Sequence, residues 1–504
     1  MELRQVFHNL PIIDIVGDRS GQVRQIAYDS RSCVPGSLFV AVSGLVHDGH
    51  DFIDDAVKRG AGFVIHEKDI AVPRGITAVR VADSRLALAL AAKNFYRDPS
   101  SDLVILGVTG TNGKTTVTYL LEAVLRAAGY KTGVVGTVNY RFGDIAVASA
   151  NTTPESLDLQ RILRTMADEG VTHVIMEVSS HAIDLQRVAG VDFNAGVFTN
   201  LSAEHLDYHG TMENYYAVKR SFFQNSLKGK TVLVNGDDTW GRRLAYDVEG
   251  SVIFFGLSKS CHFRAVAPRI TPRGMHFMVE TPRSAFSVES PLTGAFNLSN
   301  VLAAVGAASA LGIEDQDIAE GIKNMAAVPG RLERVSVGTE EDIHVYVDYA
   351  HTGEALRNVL ETLGSFQKNR LITVFGCGGD RDRAKRPVMG RTATELSDCV
   401  VITSDNPRGE DPRKIIEDIE RGVNGSRFCK TDAPGGIGPG EYRVIEDREE
   451  AIRWAVETAL PGDIVLIAGK GHEIYQIMGD RRLPFDDRVV AGKALASRRT
   501  KNVT

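Results

Sequence analysis

The sequence predicts an α/β protein of three domains: a small N-terminal α/β domain, a central doubly wound, mostly parallel sheet, and a C-terminal Rossmann-like domain. Three observations carry that prediction. The chain has 504 residues, and at about 150 residues per domain this asks for three cores. From residue 103 onward, short apolar runs bounded by turn residues alternate with helical periodicity, the pattern of parallel strands joined by crossover helices. Two stretches read as breaks, Arg97-Asp98-Pro99-Ser100-Ser101 before the alternation and Pro329-Gly330-Arg331 within it, because proline and its small polar neighbours stop a helix and favour turns. They set boundaries that give domains 1–100, 101–330 and 331–504.

In the first domain, GSLFVAV (36–42), GFVIH (62–66) and TAVRV (77–81) read as strands and 85–96 as a helix. The second begins with an apolar run at 103–108 and a helical run at 114–128, followed by strands at 171–178, 193–199, 231–234 and 252–255. A long helix at 297–311 closes it. In the third, strands at 343–347, 371–375, 399–403 and 464–468 alternate with helices near 353–364, 412–422 and 448–459, while 425–440 (GSRFCKTDAPGGIGPG) is a loop by composition.

Composition excludes several classes of protein. A net charge of −6 argues against a general nucleic-acid or anionic-membrane binder. Five scattered cysteines with no CxxC indicate neither a disulfide framework nor a zinc site, so a reducing cytoplasm is the simplest setting. No apolar run approaches the ~20 residues that span a bilayer, so no membrane insertion is expected. Monomer is the default expectation.

The most informative stretch is LVILGVTGTNGKTT (103–116), a buried strand running into a glycine-rich turn and then a helix. Backbone N–H groups of Gly110, Thr111, Asn112 and Gly113 can converge on a phosphate. Lys114 can reach the β/γ-phosphates, Thr115 can offer a hydroxyl to Mg²⁺, and Thr116 continues the helix N-terminus. The general GxxxxGK[ST] pattern is incomplete, because Val108 stands where its first glycine would fall. A tight strand-to-helix turn without a ligand is the plain alternative.

Other polar groups gather at strand ends, where open α/β sheets bind ligands. Glu177-Val-Ser179-Ser180-His181 offers a metal-binding carboxylate and a substrate-binding hydroxyl, or equally a helix N-cap serine beside a solvated glutamate. The segment 202–210 puts His205 and His209 near two acids without a zinc spacing. DYAHTGEAL (348–356) follows one strand, and GCGGDRDRAKRP (376–387) follows another. Arg381, Arg383, Lys385 and Arg386 of the latter form a positive cluster that should attract a carboxylate or phosphate, or else form a solvated charge run. Asp405-Asn406-Pro407-Arg408 and Gly469-Lys470-Gly471-His472-Glu473 end two further strands. A carboxylate and a guanidinium on one rigid turn suit a zwitterion, although Asn-Pro also serves as a helix-capping turn.

Taken in order, TGTNGKTT, NTTPES (151–156), EVSSHAIDLQR (177–187), TNLSAEHLDYHG (199–210), GAFNLSN (294–300), DYAHTGEAL and GCGGDRD resemble the Mur ligase family over essentially the whole chain. The resemblance implies ATP-dependent amide formation between the D-glutamate side-chain carboxylate of UDP-N-acetylmuramoyl-L-alanyl-D-glutamate and an incoming amine, through an acyl phosphate. Charge neutralisation dominates such chemistry. It implies Lys114 on the transferring phosphoryl, Thr115 and Glu177 on Mg²⁺, and His205 at a second metal. Lys219, by composition an ordinary surface lysine, is implied to be carbamylated by CO₂ and so to help position Mg²⁺.

The same resemblance puts Asn297, Arg331, Asp348 and His351 at the nucleotide base and ribose. Tyr28, Ser30, Val46, His47 and Asp48 would contact the uridine diphosphate. Asn151, Thr152, Thr153, Ser179 and Arg187 would hold the muramoyl-dipeptide; where some relatives carry glutamine two places before this arginine, the chain has Leu185. DNPR (405–408) resembles the form that takes meso-diaminopimelate, whose far carboxylate Arg408 can bind with two hydrogen bonds. Arg381, Asp405, Asn406, Pro407, Gly469 and Glu473 would complete that pocket. An L-lysine-adding or folylpolyglutamate-type ligase, or a P-loop switch that lacks an amine site, remain the alternatives.

Overall fold

The computed structural model describes residues 1–44, 47–69, 71, 73–149, 151–338, 341–366, 369–432 and 436–503, with 499–503 by backbone alone. The chain divides into two compact units: Met1–Arg264 with Leu302–Gly321, and Ala265–Val301 with Ile322–Thr504.

The first unit holds two sheets. The smaller has the strand order Ile12–Val16, Thr77–Val81, Ala61–His66, Ser37–Val40, Gln25–Ala27, with every pair parallel except the first. Its three inner strands are the three read from sequence. The outer two are an exposed strand and a three-residue one, too short or too polar to stand out. Asp83 caps the following helix, Ser84–Phe95, by accepting from the Arg85 and Leu86 amides. That helix ends where Arg97 and Asp98 take φ of 58° and 46° just before Pro99, which is why this stretch interrupts the pattern.

The larger sheet has a parallel core in the order Ser251–Gly256, Thr231–Asn235, Ala195–Phe198, Val104–Thr109, His173–Glu177, Thr132–Val135. The hairpin Asn139–Phe142 and Ile145–Ala148 extends it antiparallel. Val104–Thr109 lies centrally, and the chain goes to one side of it for His173–Glu177 and to the other for Ala195–Phe198. That reversal makes the carboxyl end of Val104–Thr109 the topological switch point where such sheets bind ligands. Two glycines let helix Met212–Asn225 lie close on the sheet. A Cβ on Gly107 would stand 2.6 Å from the Phe222 ring, and one on Gly196 3.0 Å from the Phe223 ring.

The second unit is built on a seven-stranded sheet in the order Glu333–Val335, His344–Asp348, Ile464–Ala468, Leu371–Phe375, Cys399–Ile402, Glu441–Val444, Cys429–Lys430, parallel except for its first pair. The four strands read from sequence are the consecutive inner ones, nearly continuous in Val, Ile and Leu because both faces are covered. Helix Lys385–Leu396 begins inside the stretch 376–387 that reads as loop. Three hairpins escape the sequence pattern, Asn139–Phe142 with Ile145–Ala148 in the first unit, and Gly274–Glu280 with Ala285–Ser290 and Tyr475–Met478 with Arg481–Pro484 in the second. The five cysteines are free. No helix among the described residues is long and apolar enough to cross a membrane.

Candidate active site

The glycine-rich turn sits at the switch point, between strand Val104–Thr109 and helix Lys114–Ala127, with Gly113 at the helix N-cap. Gly110 has φ of 144°, and a Cβ there would stand 1.9 Å from Thr199 Oγ1, so only glycine fits. The end of the neighbouring strand braces the turn. Asn200 O accepts from the Thr111 amide at 2.9 Å, Asn200 Oδ1 accepts from the Asn112 amide at 3.0 Å, and Thr199 Oγ1 donates to Asn112 O at 2.6 Å. Lys114 Nζ donates to the carbonyls of Gly110 and Thr111 at 2.9 and 2.7 Å, which holds its charge over the turn.

On the other side, Thr115 Oγ1 donates to Glu177 Oε2 at 3.0 Å. Glu177 is 1% exposed, so it is not the solvated glutamate of the simpler reading. Thr137 fixes it from a second direction, with its amide on Oε1 at 2.8 Å and its hydroxyl on Oε2 at 2.9 Å. Thr137 carries no sequence signal, and Asn200 lies in the stretch 199–210 without a role legible there; both act because adjacent strands end beside the turn. Thr116 is buried at the start of the same helix.

Lys219 is not a surface lysine. Its Nζ donates to Gly110 O at 2.9 Å and to Thr109 Oγ1 at 3.4 Å, and the residue is 1% exposed. Burial, with Lys114 adding and Glu204 opposing, holds its ammonium well below the ordinary lysine range. His205 adopts φ of 56° ahead of helix Leu206–His209. Its imidazole is pushed down to about 4, by burial first, against Glu204, with His181, Lys114 and Lys219 adding. His181 lies 5.0 Å from His205 and 4.3 Å from Tyr208, ring to ring. His209 is structural, its Nε2 3.0 Å from Ser180 Oγ and its ring stacked on Tyr215. Among the described residues, no three His, Cys, Asp or Glu side chains converge as a metal cluster.

Thr153 joins the substrate candidates to Glu177. Its hydroxyl donates to Glu177 O at 2.8 Å and accepts from the Ser179 amide at 3.2 Å, and its carbonyl accepts from Arg187 Nη1 at 3.2 Å. Ser179 is also an N-cap, accepting from the Ala182 amide. Thr152 Oγ1 lies 3.1 Å from Thr137 Oγ1, and the exposed Asn151 accepts from Ser149 through its carbonyl. In the small sheet, Tyr28 OH donates to Asp158 at 2.7 Å and Ser30 Oγ to Asp55 at 2.7 Å. Asp48 caps the turn Gly49–Phe52 and pairs with Lys68 and His50, and Lys68 first, then His50, hold its carboxyl far below the usual range. His47 packs edge-on to Phe52, and Val46 lies outside the described residues.

In the second unit, strand ends bring the DNPR and GKGHE turns together. Asn406 Nδ2 donates to Glu473 Oε2 at 2.8 Å, and Lys470 Nζ donates to Asn406 Oδ1 at 3.1 Å and Glu473 Oε2 at 2.8 Å. Gly469 has φ of 117°, and a Cβ there would press on Asp405 Oδ2 at 2.6 Å. Arg408 has φ of 52° and donates through Nη1 to Gly379 O at 2.8 Å. The hairpin Tyr475–Met478 with Arg481–Pro484 braces the turn. Gln476 Nε2 donates to Asp405 O at 2.7 Å, the Ile477 amide to Asn406 Oδ1 at 2.9 Å, and the Arg408 amide to Ile477 O at 3.1 Å. Pro407 does not cap a helix; Asp411 does that for Pro412–Val423. Lys470 was legible only as a lysine between glycines, and the hairpin left no signal.

The expected positive cluster at 381–386 needs correction. Arg386 is fully buried and bonded to Glu410 at 2.7 and 2.9 Å and to Asp418 at 2.9 Å, and Arg383 also pairs with Asp418 at 3.0 Å. Those charges are internally neutralised, because helix Pro412–Val423 brings Asp418 beneath the loop. Arg381 stays exposed, donating to Asp380 O at 3.1 Å.

Of the nucleotide candidates, Arg331, Asp348 and His351 gather around Tyr349. The Arg331 guanidinium lies 4.4 Å above the Tyr349 ring, and His351 is 4.6 Å from it, centroid to centroid. Asp348 accepts from the Leu332 and Ala350 amides at 2.6 and 2.7 Å, yet burial outweighs them and Arg331 and raises its carboxyl. His472, 5.1 Å from Tyr349, is pushed down to about 3 by burial, then by Arg331, Arg488 and Lys470. Asn297 is buried in helix Ala295–Ala310, where it donates to Thr293 O at 2.8 Å and accepts from Asn300 at 2.9 Å.

A glycine-rich phosphate turn at the switch point of one parallel sheet, with a second parallel sheet whose strand ends carry charged turns, defines a P-loop α/β protein. The chain belongs to the Mur ligase family. Residues 22–96 match the Mur ligase family catalytic domain, 108–308 the Mur ligase middle domain, and 330–471 the Mur ligase glutamate ligase domain. It is 44% identical to a UDP-N-acetylmuramoyl-L-alanyl-D-glutamate--2,6-diaminopimelate ligase of Geobacillus thermodenitrificans, over 99% of this chain and 100% of that protein. It is 46% identical to the ligase of the same name from Geobacter metallireducens, over 94% of each. A solved structure of a UDP-N-acetylmuramoyl-L-alanyl-D-glutamate--2,6-diaminopimelate ligase superposes with a TM-score of 0.69 at 32% identity, covering 99% of both chains.

Proposed function

We propose that this protein uses ATP to join meso-diaminopimelate to the D-glutamate side-chain carboxylate of UDP-N-acetylmuramoyl-L-alanyl-D-glutamate, in peptidoglycan precursor synthesis in the cytoplasm. The observation that carries this reading is the phosphate turn that holds Lys114 on one side and the Thr115–Glu177 pair on the other. End-to-end likeness to ligases of that name supports it. In this reading residues 1–100 hold the uridine diphosphate, 101–330 the ATP and 331–504 the amino acid.

A carboxylate is a poor electrophile. One of its oxygens attacks the γ-phosphorus, ADP leaves, and an acyl phosphate forms. The amine nitrogen then attacks the acyl carbon, phosphate leaves with the bridging oxygen, and the nitrogen gives up its proton. Lys114 offsets the charge that gathers on the phosphoryl oxygens, together with the amides of the turn other than those of Thr111 and Asn112, which Asn200 already holds. Thr153, Ser179 and Arg187 orient the dipeptide so that its side-chain carboxylate faces the turn. Tyr28, Ser30, His47 and Asp48 serve the uridine end, and Arg331, Asp348 and His351, with Asn297, serve the nucleoside.

The buried hydroxyl–carboxylate pair of Thr115 and Glu177 fits a Mg²⁺ ion, with His205 a candidate for a second; a bound ion neutralises phosphate charge. The buried Lys219 fits carbamylation, because its depressed ammonium leaves a neutral amine to react with CO₂. The carbamate would supply an anion beside the turn. At the amine end, Glu473 and Asp405 receive the ammonium groups, Asn406 holds Glu473 in place, and Arg408 with Arg381 receives the far carboxylate.

Phosphate release measured with each substrate alone and with both tests the reading. A ligase requires ATP, the UDP-muramoyl-dipeptide and diaminopimelate together. Slow release without them would indicate a switch, and a preference for L-lysine would overturn the amine assignment.

A further inference from the structure

We infer that Arg85 is a second arginine of the dipeptide site, which acts with Arg187 to grip the D-glutamyl α-carboxylate, the one that is not activated. This rests on the ligase reading above. Arg85 lies in the first turn of helix Ser84–Phe95, on the small sheet, and Arg187 follows helix Ser180–Asp184 on the central one. They meet at one carboxylate. Arg85 Nη1 is 3.6 Å and Arg187 Nε 3.4 Å from the same oxygen, Oε2 of Glu155.

Neither contact is a good hydrogen bond. Arg187 Nε is buried without a hydrogen-bond acceptor, although the carboxylate is near. Glu155 turns its other oxygen to the Ser156 amide at the N-terminus of helix Ser156–Asp168. Two guanidiniums and a helix N-terminus therefore converge on the single carboxylate of Glu155. The three side chains are 18%, 17% and 19% exposed for Arg85, Arg187 and Glu155, open enough for a ligand and dry enough for charge to count.

Each arginine is fixed by one carbonyl. Arg85 Nη2 donates to Ser43 O at 3.1 Å, and Arg187 Nη1 to Thr153 O at 3.2 Å. Each guanidinium has five N–H donors, so most are left for a planar anion. Both arginines also face Tyr208, whose hydroxyl donates to Asp184 at 2.6 Å. From Arg187 the path through Thr153 to Glu177 leads directly to the phosphate turn. D-Glutamate carries two carboxylates on one short chain. Holding the α-carboxylate between two fixed guanidiniums leaves only the side-chain carboxylate free to reach the phosphoryl group, which is a specificity the chemistry requires.

The test compares wild type with Arg85→Gln and Arg85→Lys on two ligands, UDP-muramoyl-L-alanyl-D-glutamate and its α-carboxamide (D-isoglutamine) analogue. Binding is read by calorimetry without ATP or amine, and KM and kcat are read with them. Arg85→Gln should weaken the carboxylate ligand roughly 10- to 100-fold, in KM more than kcat. It should change binding of the amide analogue less than 3-fold, and Arg85→Lys should recover part of the loss. Equal losses on both ligands would make Arg85 a structural bridge. A matching loss of UDP binding alone would make it a diphosphate contact, and either result overturns the inference. A wild type that binds the dipeptide but does not ligate it overturns the ligase reading and leaves the clamp standing.

Discussion

Replacing Arg448 with methionine should both loosen the C-terminal sheet and misplace the amine pocket. Arg448 and Asp487 are each 0% exposed, and they pair bidentately at 2.8 and 2.7 Å. The same guanidinium donates to Ser404 O at 3.3 Å and Ala468 O at 3.0 Å. Those two carbonyls immediately precede Asp405 and Gly469, the first residues of the two turns that form the pocket. Methionine fills much of the volume but leaves Asp487 buried without its cation and two carbonyls without a donor. Breaking a buried pair in this way costs about 3–5 kcal/mol. At 2–4 °C per kcal/mol for a domain of this size, the transition that reports the C-terminal segment should fall by about 6–20 °C in scanning calorimetry. The double variant Arg448→Met with Asp487→Leu should recover most of that stability, because it removes the stranded charge, yet keep a raised KM for diaminopimelate. The reasoning is refuted if the single variant melts within 2 °C of wild type, or if the double variant binds diaminopimelate normally.

Three further outcomes are expected. Arg408→Gln should raise KM for diaminopimelate by roughly 10- to 100-fold while leaving ATP binding unchanged, the worth of a charged hydrogen-bond pair; equal losses for both ligands in titration calorimetry would count against it. Gly110→Ala should abolish nucleotide binding, since its Cβ would fall 1.9 Å from Thr199 Oγ1 at a φ of 144°; a fluorescent ATP analogue binding as tightly as to wild type would contradict this. The third concerns acid stability. Arg386 is the first cause that holds the Glu410 carboxyl below its ordinary range, and it also lowers Asp418 against burial. Lowered native values mean that this stabilisation is complete above the unfolded carboxylate range, about pH 4, and is lost as pH falls from there through the lowered native values. The melting-temperature gap between wild type and Arg386→Met should therefore be widest near pH 7 and narrow toward pH 3; a gap that does not change with pH excludes the ionic account.

Much of the fold was legible because buried parallel strands are nearly continuous apolar runs, as at 371–375 and 464–468, and because Pro99 and Gly113 punctuate them. Edge strands such as Gln25–Ala27 and the hairpin after Glu473 were not, since short, half-exposed segments lack a period. Among site residues, Lys114 and Thr115 announced themselves by local spacing alone. Lys219 needed the family resemblance, since nothing in a helix sequence shows that Gly107 and Gly196 let that helix sink onto the sheet. Arg383 and Arg386 read as available charge because their carboxylate partners lie up to 35 residues away in sequence.

The sequence by itself determined the alternation of strands and helices, the position of the phosphate turn and the family. These depend on side-chain periodicity and on contacts within a few residues. Only the tertiary structure decided which charges are free and which are spent: Lys219 and Glu177 buried beside the turn, Arg386 consumed by Glu410 and Asp418, Arg448 tying two strand ends, Arg85 and Arg187 sharing Glu155. The physical reason is that burial and ion pairing are properties of groups brought together by folding from distant parts of the chain, and no local pattern records them.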